Sequence, residues 1–311
     1  DGRMFPVTDS SQTVVDCLLH AAHQRGVTIR LGAGVRDIVA REDAAQGSQF
    51  EISLRDGSKH HYDRILLATG SAGRGYRLAE ALGHTIVPCV PSLFTFKISD
   101  PRLAGLSGLS FENVRLTLST GVGKPLQQTG PLLITHWGLS GPAVLKLSAW
   151  DARKLHDCKY RAELEINLLP EQSTDTAYSR LISYREKNPR KQVHSGGPLK
   201  IPRRYWQRLV ELQGLDAATT WSKLGNVAIR AIVTELTHGN FSVSGKDEFK
   251  EEFVTCGGVA LPEVDFRTMQ SKLCPGLYFA GEILDIDGVT GGFNFQNAWT
   301  TGWLAGKSMI A

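Results

Sequence analysis

The sequence predicts an α/β protein in which one domain is interrupted by a long insert. Arg64–Gly70 and Leu277–Glu282 each hold a short apolar strand that ends at a glycine, as buried strands of an open α/β sheet often do. Between them, from about residue 92 to 252, the pattern changes to alternating strands and amphipathic helices. The two ends of the chain are therefore predicted to form one domain around the insert.

The N-terminal part is predicted to begin with a helix that Asp9, Ser10 or Ser11 can cap and that Gly26 ends. Its apolar face is Val14, Val15, Leu18, Leu19 and Ala22. Asp56-Gly57 is a hairpin turn signal. The further elements predicted here are strands at Val27–Leu31, Val35–Arg41, Phe50–Leu54, His60–Asp63 and Arg64–Ala68, a helix at Gly75–Leu82 and an extended segment at Thr85–Val90.

The insert is predicted to combine a small β-barrel or sandwich with a mostly helical part. The β part covers about residues 92–169 and 238–252, and the helical part about 170–237. Its predicted strands are Leu93–Ile98, Val114–Leu118, Gly130–Thr135 and Tyr160–Leu168. One predicted helix begins at Gly141-Pro142. The other predicted helices cover Ser173–Lys187, Pro202–Leu212 and parts of Trp221–Thr237. Asn188–Lys200, rich in Pro, Gly and basic residues, is predicted to be a linker.

After the insert, Phe253–Cys256 is predicted as a strand and Gly257-Gly258 as a turn. The C-terminal stretch then combines a strand, an acid, a glycine pair and a helix. Gly281 lets the backbone turn, and Glu282 places a carboxylate at that turn. Gly291 and Gly292 allow bare backbone to approach a flat or anionic group just before the helix begins. This arrangement predicts a cofactor site.

Composition excludes several classes. The net charge of +4 is mild, and the densest basic spots, Arg190-Lys191 and Arg203-Arg204, form no long block, so nucleic acid is not expected as a partner. The five cysteines are scattered, without a C-x-x-C pair, which argues against a disulfide framework or a metal site. A reducing compartment, the cytoplasm or an organelle interior, fits best. No apolar run is long enough for a bilayer, so no membrane partner is expected.

Seven motifs, taken together and in their order along the chain, give the sequence a resemblance to the BaiN-like (YhiN-like) FAD-dependent oxidoreductases. That family is also labelled NAD(P)/FAD-dependent. The motifs are Gly2–Pro6 (GRMFP), Leu66–Gly70 (LLATG), Gly75–Glu80 (GYRLAE), Thr135–Pro142 (THWGLSGP), Thr255–Val259 (TCGGV), Ala280–Glu282 (AGE) and Thr290–Asn294 (TGGFN). The resemblance covers almost the whole chain. It implies an FAD-binding, glutathione-reductase-type Rossmann-like domain at residues 1–91 and 253–311, with the inserted β-barrel and helical domain at 92–252.

The chain lacks the G-x-G-x-x-G turn that holds the FAD diphosphate in this architecture. It begins at Asp1-Gly2 without Met, inside a motif. We therefore expect a first βαβ unit, and any targeting segment, to precede Asp1. The loop at Ser71–Gly75 is also shorter than the family usually has.

The resemblance implies a role for each cofactor residue. The backbone at Val35 would lie beside the adenine, and Ala68, Thr69 and Gly70 would pass under the ADP part. Glu282, next to Gly281, would accept hydrogen bonds from the ribityl hydroxyls. Main-chain N–H groups of Gly291, Gly292, Phe293 and Asn294 would face the flavin and stabilise its reduced form. The alternatives are an ordinary strand-end turn at Thr69-Gly70 and a surface acid at Glu282.

Two residues are catalytic candidates. His136 lies at a polar strand-to-helix turn which, by the resemblance, would face the flavin, so that His136 would bind or protonate a substrate. Arg3 would bind an anionic substrate. Each also has a structural alternative, because a lone histidine is more often structural and an arginine can simply pair with a carboxylate.

The function implied is an FAD-dependent oxidoreductase that transfers hydride between flavin and a small organic substrate. NAD(P)H is a candidate donor that would bind only transiently, since no second G-x-G-x-x-G unit is present. The alternative is a non-catalytic flavin-binding protein, or a flavoprotein-derived subunit or RNA-associated factor. The sequence leaves the substrate, the reaction direction and the oligomeric state open.

Overall fold

The structure is a computed structural model that describes residues 4–41, 49–246 and 254–310. Its helices are α1 Ser11–Gln24, α2 Gly73–Ala81, α3 Pro142–Trp150, α4 Ala152–Asp157, α5 Thr174–Lys187, α6 Arg203–Leu212, α7 Asn226–His238 and α8 Phe293–Met309. Short 3₁₀ helices cover Val193–Ser195, Trp221–Lys223, Leu261–Glu263 and Gly281–Ile283.

The strands follow the same chain order. They are β1 Val35–Ala40, β2 Phe50–Leu54, β3 Lys59–Tyr62, β4 Ile65–Leu67, β5 Ile86–Ser92, β6 Phe96–Lys97, β7 Ser110–Ser119, β8 Leu126–Ile134, β9 Gly138–Ser140, β10 Ala162–Asn167, β11 Gly239–Val243, β12 Gly245–Lys246, β13 Val254–Val259, β14 Val264–Asp265, β15 Gln270–Ser271 and β16 Leu277–Phe279.

The chain divides into two units. Unit 1 is Asp1–Pro88, Gly257–Ile286 and Gly291–Ala311, and unit 2 is Cys89–Cys256 with Asp287–Thr290. The short segment Asp287–Thr290 groups with unit 2.

Two sheets are formed by described residues of unit 1, and β13 and β5 form a separate two-stranded sheet. β1, β2 and β3 form an antiparallel meander, and the second sheet has the order β14-β15-β16-β4. The Asp56-Gly57 turn forms as predicted, because Gly57 adopts φ +86° and the Asp56 carboxylate accepts hydrogen bonds from the N–H and hydroxyl of Ser58 at 2.9 and 2.7 Å. The core of unit 1 gathers the apolar sides of both sheets, including Ile38, Phe50, Leu67, Leu277 and Phe279.

Unit 2 contains a seven-stranded antiparallel sheet of order β11-β10-β7-β8-β9-β6-β12. β11 and β12 lie at opposite edges of this sheet, although only Ser244 separates them along the chain. The sheet must therefore curve until its two edges approach each other. Its apolar face and the helices α3, α5, α6 and α7 share one core, which includes Leu116, Leu164, Trp206 and Ile232.

Several elements differ from the sequence-based predictions. Val27–Leu31 is not a strand: no described strand pairs with it, and Val27, Ile29 and Leu31 are 51–92% exposed. α1 forms, but its predicted apolar face is not buried, since Val14, Val15, Leu18 and Leu19 are 38–50% exposed. Gly257-Gly258 is not a turn; both glycines continue β13 with φ of +117° and +144°.

The predicted linker Asn188–Lys200 is an ordered part of unit 2. Val193 within it is fully buried and Leu199 is 7% exposed. The indole N–H of Trp206 donates to the carbonyl of Val193 at 2.7 Å, which fixes the segment on α6. Its Pro, Gly and basic composition therefore indicated a loop but not its burial. None of the helices in the described part of the chain has the length and apolar character needed to span a bilayer.

Candidate functional site

The two glycine-terminated strands that the sequence singled out are neighbours in one sheet. β4 and β16 run parallel, with Ile65 opposite Leu277 and Leu67 opposite Phe279. The N–H of Ala280 continues the ladder by donating to the carbonyl of Leu67 at 3.1 Å. The turns that follow the two strands therefore leave the same carboxyl edge, which is where open α/β sheets bind ligands.

A helix hydroxyl fixes the turn after β16. The N–H of Gly281 donates to Thr301 Oγ1 at 2.8 Å, and this hydroxyl in turn donates to the carbonyl of Asn297 at 2.6 Å. Thr301 is only 5% exposed, and Gly281 has φ +75°. Ala298 lies one turn before Thr301 in α8. A Cβ added to Gly281 would lie 3.6 Å from the Cβ of Ala298. α8 therefore packs directly on the Gly281 turn.

Helix α2 connects the turn after β4 to the same place. The Tyr76 hydroxyl donates to the carbonyl of Glu282 at 3.4 Å. A Cβ added to Gly75 would lie 1.8 Å from Thr69 Oγ1, so α2 approaches Thr69 as closely as a glycine permits. Thr69, Glu282 and the start of α2 thus form one arrangement in unit 1.

The predicted cofactor residues are placed as follows. Ala68 and Thr69 are exposed, Gly70 is half-buried with φ +59°, and Glu282 is half-buried after the buried Gly281. Val35 is the first residue of β1, and its carbonyl accepts a hydrogen bond from Arg74 at 2.7 Å. A carbonyl has a second lone pair, so Val35 can still accept from a ligand.

The glycine pair before α8 is exposed. Gly292 is the N-cap in the left-handed region, with φ +86°, and its carbonyl accepts from the N–H of Gln296 at 2.9 Å. Phe293 is 58% exposed and Asn294 is half-buried. Gly292 precedes Thr301 by nine residues, which is about 13 Å along a helix. The helix start and the Gly281 turn are therefore joined through α8.

A cleft beside Val35 adds charge to this region of unit 1. It has a volume of about 800 Å³ and lies between β1 and α2, where Arg36, Arg74 and Arg77 line it. Arg36 is paired with Asp37 at 2.8 Å, and Arg74 holds the Val35 carbonyl. The arginines of the cleft can therefore accept an anionic group.

Of the two catalytic candidates, the structure describes only His136, which belongs to unit 2. His136 is an exposed residue of unit 2 between β8 and β9, beside Trp137, and it lines a cavity of about 560 Å³ with Lys97 and Asp100. Arg3 lies outside the described residues. Among the described residues no group of His, Cys, Asp and Glu is arranged to hold a metal ion.

Sequence reasoning missed Thr301, Tyr76 and Arg74. Each acts on the main chain of a predicted site residue: Thr301 on Gly281, Tyr76 on Glu282 and Arg74 on Val35. The only sequence signal was that Tyr76 stands in the GYRLAE motif. The other two bonds join residues 20 and 39 positions apart, a separation at which local patterns carry no information.

Comparison with known proteins finds a family model and relatives that match nearly the whole chain. The family model described as HI0933-like protein Rossmann domain matches residues 1–308. The ribosomal RNA dihydrouridine synthase of Escherichia coli is 30% identical over 319 residues, covering 100% of this chain and 74% of that protein. The 3-dehydro-bile acid delta(4,6)-reductase of Clostridium scindens is 29% identical over 315 residues, covering 99% and 75%. The ribosomal RNA dihydrouridine synthase of Haemophilus influenzae is 27% identical over 319 residues, covering 99% and 75%.

Proposed function

The chain belongs to the HI0933-like Rossmann-domain family, and from this we propose that it is an oxidoreductase that uses FAD to transfer hydride to or from an organic substrate. The match confirms the resemblance to BaiN-like (YhiN-like) flavoproteins that the motifs indicated. Relatives named as a reductase and as dihydrouridine synthases are both oxidoreductases, so the chain is an enzyme of that class.

The observation that carries the proposal is the shared carboxyl edge of β4 and β16. Ala68, Thr69 and Gly70 leave one strand as an exposed turn without a large side chain, and Gly281-Glu282 leaves the adjacent strand. Such a surface fits an extended dinucleotide, with Arg74 and Arg77 in the neighbouring cleft to balance phosphate charge. These residues therefore suit FAD.

We assign the roles within unit 1 as follows. Bound FAD would supply the ring that accepts or gives up a hydride. Glu282 would accept hydrogen bonds from the ribityl chain, and Val35 would present its backbone to the adenine. The N-terminus of α8, reached through Gly291 and Gly292, would stabilise negative charge on the reduced ring. Phe293 and Asn294 begin that helix.

Three further assignments follow from the family resemblance. His136 would protonate or bind substrate, Arg3 would bind an anionic group, and NAD(P)H would be the hydride donor. We also propose that the first domain consists of residues 1–91 and 253–311, and that the curved sheet of unit 2 is a barrel that carries a helical part within the 92–252 insert.

The relatives' names suggest a common reaction for two substrate classes. Dihydrouridine is uridine with one ring double bond reduced, and a delta(4,6)-reductase is named for numbered double bonds. We propose that this enzyme adds a hydride and a proton across a carbon–carbon double bond conjugated to a carbonyl. The two electrons arrive with the hydride, and the proton comes from a protein group or water.

A second candidate concerns the substrate class. Two of the relatives are named for ribosomal RNA and one for a bile acid. The surface charge of the helical part, described below, favours RNA as the carrier of the reducible base. A small, free organic substrate is the competing possibility.

Anaerobic titration of the full natural protein tests the proposal. We expect purified protein to be yellow, NADH or NADPH to bleach it, and a uridine-containing ribosomal RNA fragment or an unsaturated steroid to restore the colour. A protein that binds flavin but neither accepts nor donates electrons would contradict the enzymatic proposal. A colourless protein that co-purifies with RNA or partner proteins would instead support the alternative of a flavoprotein-derived subunit or RNA-associated factor.

A further inference from the structure

The positive charge of the chain is concentrated in one region. Residues 170–237 hold eleven Lys and Arg against six Asp and Glu, whereas the remainder holds 24 against 25. Within that region, residues 187–208 contain seven Lys and Arg and no Asp or Glu. The mild total of +4 thus conceals a strongly basic helical part.

Some of these basic residues have structural partners. Arg204 donates to the carbonyl of Gly105 at 2.6 Å, and Arg208 donates to the carbonyl of Ala104 at 2.9 Å. These two side chains therefore hold α6 to the loop before β7 and are not available as a binding surface.

Four other basic residues form what we call the basic patch: Lys187, Arg190, Lys191 and Lys223. All four are exposed, and none of their side chains is in an ion pair with any residue in the described ranges. Lys191 lies over the ring of Tyr184, with its Nζ 5.6 Å from the ring centroid. Glu186 is the adjacent acid in sequence, and it precedes the patch on α5.

Backbone hydrogen bonds hold the patch together. The N–H of Ser222 donates to the carbonyl of Pro189 at 3.0 Å, and the N–H of Trp221 donates to the carbonyl of Lys191 at 2.9 Å. These bonds place Arg190 and Lys191 directly against the short helix that carries Lys223. Cations that are 32 residues apart in sequence therefore share one surface.

The surface rests on a rigid base. Trp221 is fully buried; its ring stacks on Trp206 with centroids 6.1 Å apart and meets the edge of Tyr184 at 5.1 Å. Arg185 donates to the carbonyl of Leu224 at 2.9 Å, which ties α5 to the same segment. Because the backbone beneath the cations is fixed, little ordering is required when a ligand binds.

We propose that the basic patch binds the phosphate backbone of RNA and positions an RNA substrate on unit 2. Clustered cations without carboxylate partners attract a polyanion and release its counterions, which is the main source of affinity for nucleic acid backbones. A free organic substrate would need no such surface. This inference rests on the proposed function, in which the reducible base is part of an RNA, and it revises the expectation, drawn from total charge, that nucleic acid is not a partner.

A matched pair of triple variants tests the patch. The test variant carries Arg190→Gln, Lys191→Gln and Lys223→Gln, and the control carries Lys124→Gln, Lys159→Gln and Arg161→Gln, three exposed cations elsewhere in unit 2. Binding of a labelled ribosomal RNA fragment to the full natural protein is measured over a range of salt concentrations. We expect the test variant to lose on the order of a hundredfold in affinity at about 0.1 M salt and to lower the salt slope by roughly 2 to 3.

The control variant should bind within about threefold of the natural protein, since its cations lie outside the patch. Equal losses in both variants, or no loss in the test variant, would overturn the proposal. Circular dichroism confirms folding, and flavin content with reduction by NADPH is measured in parallel. If the test variant keeps both its flavin reduction and its RNA binding, the RNA-binding role of the basic patch is rejected and the proposed function is not. If the natural protein binds RNA through the patch but its flavin is not reduced, the proposed function is rejected and the role of the patch is not.

Discussion

The buried hydroxyl of Thr301 accepts a 2.8 Å hydrogen bond from the N–H of Gly281, and so fixes the turn at which Glu282 leaves the sheet. Thr301→Val removes the acceptor and leaves a buried N–H without a partner, which costs about 1–3 kcal/mol. We expect lower stability in urea unfolding and loss of flavin on gel filtration. Thr300→Val, on the exposed neighbour, is the control and should change neither property; equal behaviour of the two variants would contradict the role of Thr301.

The approach of α2 to Thr69 is tested by two glycines of the same helix. Gly75→Ala would put a Cβ 1.8 Å from Thr69 Oγ1 and 2.8 Å from Thr69 Cβ, so Thr69 must move. We expect destabilisation of about 1–3 kcal/mol, as for other overpacked sites, together with weaker flavin binding. Gly73→Ala meets nothing within 4 Å and should be neutral or stabilising by about 0.4–1 kcal/mol in thermal unfolding. A Gly75→Ala protein as stable as Gly73→Ala would show that the contact is unimportant.

Glu282 and His136 are predicted to differ in what they bind. Glu282→Ala removes the carboxylate at the carboxyl edge of β16, so it should release flavin during purification. His136→Ala changes an exposed residue of unit 2 and should keep the flavin while lowering the rate at which substrate reoxidises it. Flavin absorbance per protein gives the first readout, and anaerobic reoxidation gives the second. Equal flavin retention in both variants would count against the site assignment.

A buried histidine should make unit 1 sensitive to acid. His84 Nδ1 lies 3.1 Å from Glu263 Oε2 and Nε2 lies 2.8 Å from Ser271 Oγ, while the ring packs edge-on against Phe279. Burial lowers the pKa of His84, and the charge and hydrogen bond of Glu263 only partly oppose this. The unfolded chain therefore binds a proton at His84 more readily than the folded chain does. The stability due to neutral His84 is present above about pH 6.5 and is lost as pH falls below that value.

The pH profile of unfolding checks this prediction. Burial raises the pKa of Glu263, but its hydrogen bonds with Thr85 and the charge of His84 outweigh burial and lower it. Glu263 therefore adds a further loss of stability only below about pH 4.5, and the two effects can be separated. Between pH 7.5 and 5.5 we expect the natural protein to lose stability more steeply than His84→Gln. His23→Gln, which removes an exposed histidine, should keep the natural profile; a His84→Gln protein with that same profile would show that His84 does not titrate as proposed.

Local signals predicted much of this chain. The Asp56-Gly57 turn, helix α5 and the short strands β4 and β16 each depend on a few adjacent residues. The Ser173 hydroxyl accepts from the N–H of Thr176 at 3.1 Å, as a helix cap does. Such interactions are completed within one turn, so their residues can be recognised without the fold.

Predictions failed where the outcome depended on a distant partner. Val27–Leu31 has the composition of a strand, yet no described strand pairs with it. Gly257-Gly258 has the composition of a turn, yet both residues continue β13. A Cβ on Gly258 would lie 2.6 Å from the carbonyl oxygen of Ile283. There the glycine is required by the close approach of another segment and not by a change of direction.

The sequence by itself determined the family, the α/β class and the motifs of the proposed flavin site, because glycine, acid and helix signals stand close together along the chain. Only the tertiary structure placed Thr301 under Gly281 and Tyr76 against Glu282, and only it brought Lys223 beside Arg190. Hydrogen bonds and charges act over a few ångströms in space. Pairs of residues far apart in the chain acquire such interactions only when the backbone brings them together.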